Sequence, residues 1–189
     1  MRFSLIAFAA VAGLAGCAGK PIKPAEVLDE RTGMTVGALQ NPIEFVENAQ
    51  YAVLAGGKRT SFAYLGPVEW DTSGELTYAL WVHVAPGNDT PVGDIHAHGA
   101  VAVALDDGVV PLVVSDVPTE GVGPYRPIAS WGQTAYFNID VRVLKRMAAS
   151  HKLALQFQAV DQSMIEFTPS LDPRVTLTQF LQARGVTLD

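Results

Sequence analysis

Cysteine is nearly absent from this chain: Cys17 is the only one in 189 residues. No intramolecular disulfide can form, so the fold must rest on its apolar core, which a domain of this length can supply without covalent staples. Positive charge is scarce as well. The 13 Lys plus Arg are outnumbered by 19 Asp plus Glu, for a formal net charge of −6, and no basic patch of the kind that neutralises phosphates stands out, which argues against nucleic acid as a partner. The apolar stretch from Phe3 to Leu14 (FSLIAFAAVAGL) falls short of the ~20 residues that a membrane-spanning helix needs. A G-x-S-x-G nucleophile elbow is missing, and Gly56-Gly57 runs into Lys58-Arg59-Thr60 instead of a phosphate-cradling Gly-Lys-Ser/Thr. Internal repeats and low-complexity tracts are missing too.

What is present begins at the N-terminus. Arg2 precedes the apolar stretch, whose length suits the core of an export signal. The segment that follows, Leu14-Ala15-Gly16-Cys17, resembles the lipobox of bacterial lipoproteins: a branched apolar residue, two small residues, then the cysteine. The resemblance covers residues 1 to 17. It implies that the Cys17 thiol receives a diacylglycerol, that residues 1–16 are removed, and that the new amino terminus is acylated. A thiolate is a strong nucleophile for such a transfer. The lost segment holds one cation and no acid, so the remainder is more acidic still. Ala18 and Gly19 are not the aspartate-type retention signal of enteric lipoproteins, which implies an outer-membrane location facing the periplasm.

Residues 17–32 carry two prolines and mixed charges without a clear period and are expected to form a lipidated tether. Residues 33–189 are expected to form a single β-rich domain. Short β-prone runs succeed one another between turn residues: MTVGAL, IEFVE, YAVLA, SFAYLGPVEW, LTYALWVHV, AVAVALDD, VVPLVV, AYFNI, KLALQFQAV and MIEF. Such spacing predicts an antiparallel β-sandwich, immunoglobulin-like or related. Asp71-Thr72-Ser73-Gly74 and Asp106-Asp107-Gly108 read as hairpin turns, and Asn88-Asp89-Thr90 as a further turn. Two short helices complete the pattern. Asp140 caps one over 140–149, with Val143, Leu144, Met147 and Ala148 recurring at three and four residues. Asp172 caps the other over 173–184, with Pro173 at its first position, Val175, Leu177, Phe180 and Leu181 inward, and Gly185 at its end.

The stretch with most chemical content is GDIHAHG, residues 93–99. Its Asp94-x-His96-x-His98 pattern resembles the metal-binding strand end of amidohydrolase and PHP phosphoesterase enzymes. Those enzymes are built on a barrel of about 250 residues with the motif near its start. Here 91 residues follow His98 and include one histidine, His151, so the likeness stays local. If LTYALWVHV and IHAHGAVAVAL pair as a hairpin, Trp81 lies opposite His98 and His83 opposite His96, and three imidazoles share one face in a way that could hold Zn²⁺. A one-residue slip removes the site. In the same strand Val101, Val103 and Leu105 form the core face.

The function expected from these features is that of a lipid-anchored envelope protein acting as a non-catalytic binding or structural module, without a cofactor. Its partners would be membrane lipid through Cys17 and an envelope protein. The alternative is a metal-binding carrier or metal-dependent hydrolase using His83, His96 and His98 with Zn²⁺.

Overall fold

The computed structural model describes residues 24–30, 33–47, 61–87, 91–115 and 123–188. Cys17, the YAVLA run, Gly56-Gly57 and the Asn88-Asp89-Thr90 turn lie outside them. In chain order the strands are β1 (Pro24–Asp29), β2 (Met34–Leu39), β3 (Ile43–Glu47), β4 (Phe62–Thr72), β5 (Glu75–Ala85), β6 (Val101–Leu105), β7 (Gly108–Pro111), β8 (Val113–Val114) and β9 (Gln133–Asn138). Then come α1 (Val141–Ala149), β10 (Ala154–Gln158), β11 (Met164–Pro169) and α2 (Pro173–Ala183).

The chain is mainly β, and its antiparallel sheet curls until it nearly closes into a barrel-like shape. The path of hydrogen-bonded strands runs β7-β6-β10-β11-β3-β4-β5-β9-β8. Its two ends meet because Leu112 alone separates β7 from β8, and the Leu112 N–H donates to the Val101 carbonyl at 2.9 Å. The long strand β4 divides one edge between two partners: residues 62–65 pair with β3 and residues 68–71 with β2. The hand-over falls at Gly66-Pro67. A proline has no N–H to offer a ladder, so a gap in the ladder is where it costs least.

The β-turns form as their chemistry predicts. Thr72 pairs with Glu75 across Ser73 and Gly74, both at positive φ (57° and 90°), and Asp71 Oδ1 accepts from the Gly74 N–H at 2.6 Å. Leu105 pairs with Gly108 across Asp106-Asp107, and the Asp106 carboxylate reaches away to accept the N–H groups of His151 and Lys152 at 2.7 and 2.8 Å. These bonds hold its carboxyl below the usual range. Asp140 and Asp172 cap the two helices by accepting from the N–H two residues on, and Gly185 at φ 70° ends the second.

The main core lies inside the curled sheet. Leu65, Leu80, Val82, Val103, Phe137, Phe157 and Phe167 pack there with Leu144 and Met147 of α1 and Leu177, Phe180 and Leu181 of α2. A second cluster occupies the outer face of β2, β4, β5 and β9: Val36, Val68, Trp70, Ala79, Trp81, Tyr125 and Tyr136. The expectation that Val101, Val103 and Leu105 face the core holds.

Three expectations are corrected. The tether does not extend to residue 32, because Pro24–Asp29 is a strand paired with β2 along its whole length. Val175 does not face inward: it is 59% exposed. The inner stripe of α2 runs Pro173, Leu177, Phe180, Leu181 and Arg184, and position 175 lies on the opposite side of a 3.6-residue turn. The hairpin between β5 and β6 does not form. Strand β5 has β4 on one edge and β9 on the other, while β6 lies between β7 and β10, so neither has an edge left for the other.

Candidate functional site

The register expected to set His83 opposite His96 is therefore not formed. His83 lies opposite Tyr64 and Thr134 on the outer face, and Trp81 lies opposite Gly66 and Tyr136. The His83 ring is fully buried, stacked with Trp81 at 5.8 Å and Tyr64 at 6.2 Å between centroids. His96 and His98 are exposed in a turn where Asp94 Oδ1 accepts the His96 N–H at 2.9 Å. Among the described residues no group of three or more His, Cys, Asp or Glu is gathered as metal ligands.

His83 instead anchors a strap. The Ala129 N–H donates to His83 Nε2 at 3.3 Å, which leaves Nδ1 to carry the proton and donate to Thr134 Oγ1 at 2.8 Å. Burial pushes the imidazole below its ordinary range, partly offset by a hydrogen bond with the Gln133 backbone. The neutral ring this favours is the form that can accept from Ala129. Gly132 passes so close that a Cβ there would stand 2.4 Å from His83 Cε1.

From Gly123 to Gly132 this strap crosses the outer face of the sheet. Its Tyr125 ring lies over Gly66, where a Cβ would stand 2.2 Å from it, and packs on Trp81 at 5.2 Å. The hydroxyl closes the gap at the β3/β2 hand-over, donating to the Pro67 carbonyl at 3.1 Å and accepting from the Leu39 N–H at 3.0 Å. Burial raises the phenol well above its ordinary range.

Between strap and sheet lies a cleft of about 480 Å³, lined by Trp81, Tyr125, Tyr136, Thr134, His96 and Arg126 among others. Its floor is aromatic and buried: Tyr136, packed on Trp70 at 5.5 Å, has its phenol pushed up to about 12 by burial. Its rim is polar, with Arg126 and His96 exposed and the Thr134 and Ser115 hydroxyls beside them. No family model, no curated protein and no solved structure matches this chain. Apolar floor and hydrogen-bonding rim together make a place that can hold a small molecule by stacking and a few polar contacts.

Of the residues singled out by sequence, His83 lies under the strap, His96 on the rim of the cleft, and His98 in the turn beyond it. Tyr136 lies in the AYFNI run that reads as a strand, whereas Tyr125 and Arg126 have no sequence signal of their own, since the strap has no periodicity. One signal points to Tyr125. Gly66-Pro67 inside the run SFAYLGPVEW marks a strand where something approaches the backbone closely and the ladder is broken.

Proposed function

We propose that this chain is a lipid-anchored protein of the bacterial cell envelope whose β-rich domain serves as a non-catalytic binding or structural module. The observation that carries the proposal is Leu14-Ala15-Gly16-Cys17 at the end of a short apolar stretch preceded by Arg2. Several acyl chains on Cys17, each methylene contributing about 0.8 kcal/mol of burial, anchor a protein stably without help from charge, which suits so acidic a chain. Ala18 and Gly19 favour the periplasmic face of the outer membrane. The cleft under the strap supports binding as the role of the domain, since its volume of about 480 Å³ falls in the range of small-molecule sites. On this reading the barrel-like sheet is a flattened, sandwich-type scaffold, immunoglobulin-like or related, that carries the cleft.

The test is intact-mass measurement and fractionation of the product of the native gene in a bacterial host. A polypeptide beginning at Cys17, carrying acyl chains and sedimenting with membranes is the expected result, with Cys17→Ser leaving the product unacylated. An unmodified, soluble product of the native gene would refute the proposal.

A further inference from the structure

We infer that the strap is a membrane-facing surface: Arg126, Ile128 and Trp131 rest in the headgroup and interfacial layer of the bilayer that holds the Cys17 acyl chains. The inference rests on the anchoring proposed above and adds to it the orientation of the domain.

Chain length and register carry it. Pro24, where the domain begins, lies seven residues after Cys17, and seven residues span at most about 25 Å. The first residue of β1 therefore stays within that distance of the acylated sulfur, less than a bilayer's thickness. Register then places the strap beside that point. Pro24 pairs with Leu39, and the Leu39 N–H donates to the hydroxyl of Tyr125. β1 is antiparallel to β2, so the chain preceding Pro24 leaves in the direction opposite to Asp29. In β4 numbering, β2 occupies positions 68–71, and the strap covers positions 66 down to 64, over Gly66 and beside the Tyr64–His83 pair. The chain before Pro24 thus emerges on the half of the sheet that the strap covers.

The side chains suit an interface. Ala129 is tied down by its N–H to His83, and on either side of it Ile128 and Trp131 are 58% and 60% exposed. Arg126 is exposed and makes no hydrogen bond or ion pair with a described residue. Tryptophan favours the interfacial region, where its ring is apolar and its N–H wet, and arginine there meets anionic headgroups. A lone apolar residue on a surface is ordinary; here two accompany a cation on a segment bonded to Leu39, the register partner of Pro24.

Trp131 supplies its own readout, because Trp70 and Trp81 are 5% and 1% exposed. The full acylated protein is reconstituted into vesicles of phosphatidylethanolamine and phosphatidylglycerol carrying bromine at graded depths along the acyl chain. Its tryptophan emission is recorded, and acylation of the same sample is verified by intact mass. The expected result is a quenched component, strongest for bromine near the glycerol end, absent from Trp131→Phe and diminished in Ile128→Asp paired with Arg126→Glu. Acylated protein whose emission is not quenched overturns the inference and leaves the anchor standing. Protein that is not acylated overturns both. A soluble Cys17→Ser protein that self-associates with Trp131 shielded assigns the surface to a second copy and also overturns the inference.

Discussion

The close approach of Tyr125 to Gly66 makes a demanding prediction, because glycine to alanine in a strand ordinarily stabilises by about 0.5–1 kcal/mol. Here the new Cβ would stand 2.2, 2.4 and 2.7 Å from three ring carbons of a tyrosine that is 5% exposed. The ring has to leave, and with it go the bonds to Pro67 and Leu39 and the contact with Trp81. An orphaned Leu39 N–H costs about 1–3 kcal/mol, and the aromatic pair contributes about 0.5–1.5 kcal/mol more. Set against the strand gain, Gly66→Ala should destabilise by about 2 kcal/mol. Tyr125→Phe, which keeps the ring and removes the hydroxyl, should cost about the same through the orphaned N–H alone. In the double variant the hydroxyl has nothing left to lose, so the two costs should fall well short of adding. Urea unfolding reads this directly: at a slope of about 2 kcal/mol per molar, each single variant lowers the midpoint by about 1 M. Strict additivity, or a Gly66→Ala protein as stable as the parent, would show that the ring does not lie over Gly66.

Two further outcomes follow from buried groups. The His83 imidazole is held below its ordinary value when folded, whereas in the unfolded chain it titrates at about 6.5. The unfolded state therefore takes up the proton first. The stabilisation from neutral His83 is complete above that pH and is lost as pH falls below it. His83→Gln should abolish that part of the acid sensitivity, and superimposable pH–stability profiles for parent and variant would contradict it. Arg184 is 6% exposed in its side chain, 2.8 Å from Glu26 and 3.6 Å from the buried Glu69. Arg184→Ala should cost about 3 kcal/mol by leaving the buried Glu69 charge with only the Tyr78 hydroxyl as partner, and adding Glu69→Gln should recover some of it; a loss under about 1 kcal/mol in chemical denaturation would rule out that pairing.

Local chemistry was legible in the sequence and long-range choice of partner was not. Asp71-Thr72-Ser73-Gly74, Asp106-Asp107-Gly108, Asp140 and Asp172-Pro173 act within a few residues of themselves, and each does what its side chain dictates. The pairing of β5 depended on a competition that local pattern does not record: β9, almost fifty residues further on, takes the edge that the neighbouring β6 was expected to fill. That one exchange removes the register in which His83 would lie opposite His96. β1 escaped notice for a related reason. Its pattern lacks alternation and leaves Val27 and Leu28 exposed, and it is a strand because β2 offers it an edge. Arg184 continues the apolar stripe of α2 at helical spacing, but a charged residue near a helix end reads as solvated, and only Gly37 and Glu69 reveal the space made for it.

The divided edge of β4 also determines how the domain bears load. β1 joins the sheet through β2 alone, by six register pairs, and β2 joins β4 by four. A pull on the chain before Pro24 therefore reaches the barrel chiefly through this narrow two-strand bracket, with the Glu26–Arg184 ion pair beside it. Drawn along the strand axis, the six pairs resist together in shear; drawn sideways, they open in succession from Pro24–Leu39. The Tyr125 hydroxyl on the Leu39 N–H sits at the corner where such peeling starts, and so acts as the rivet of the mounting.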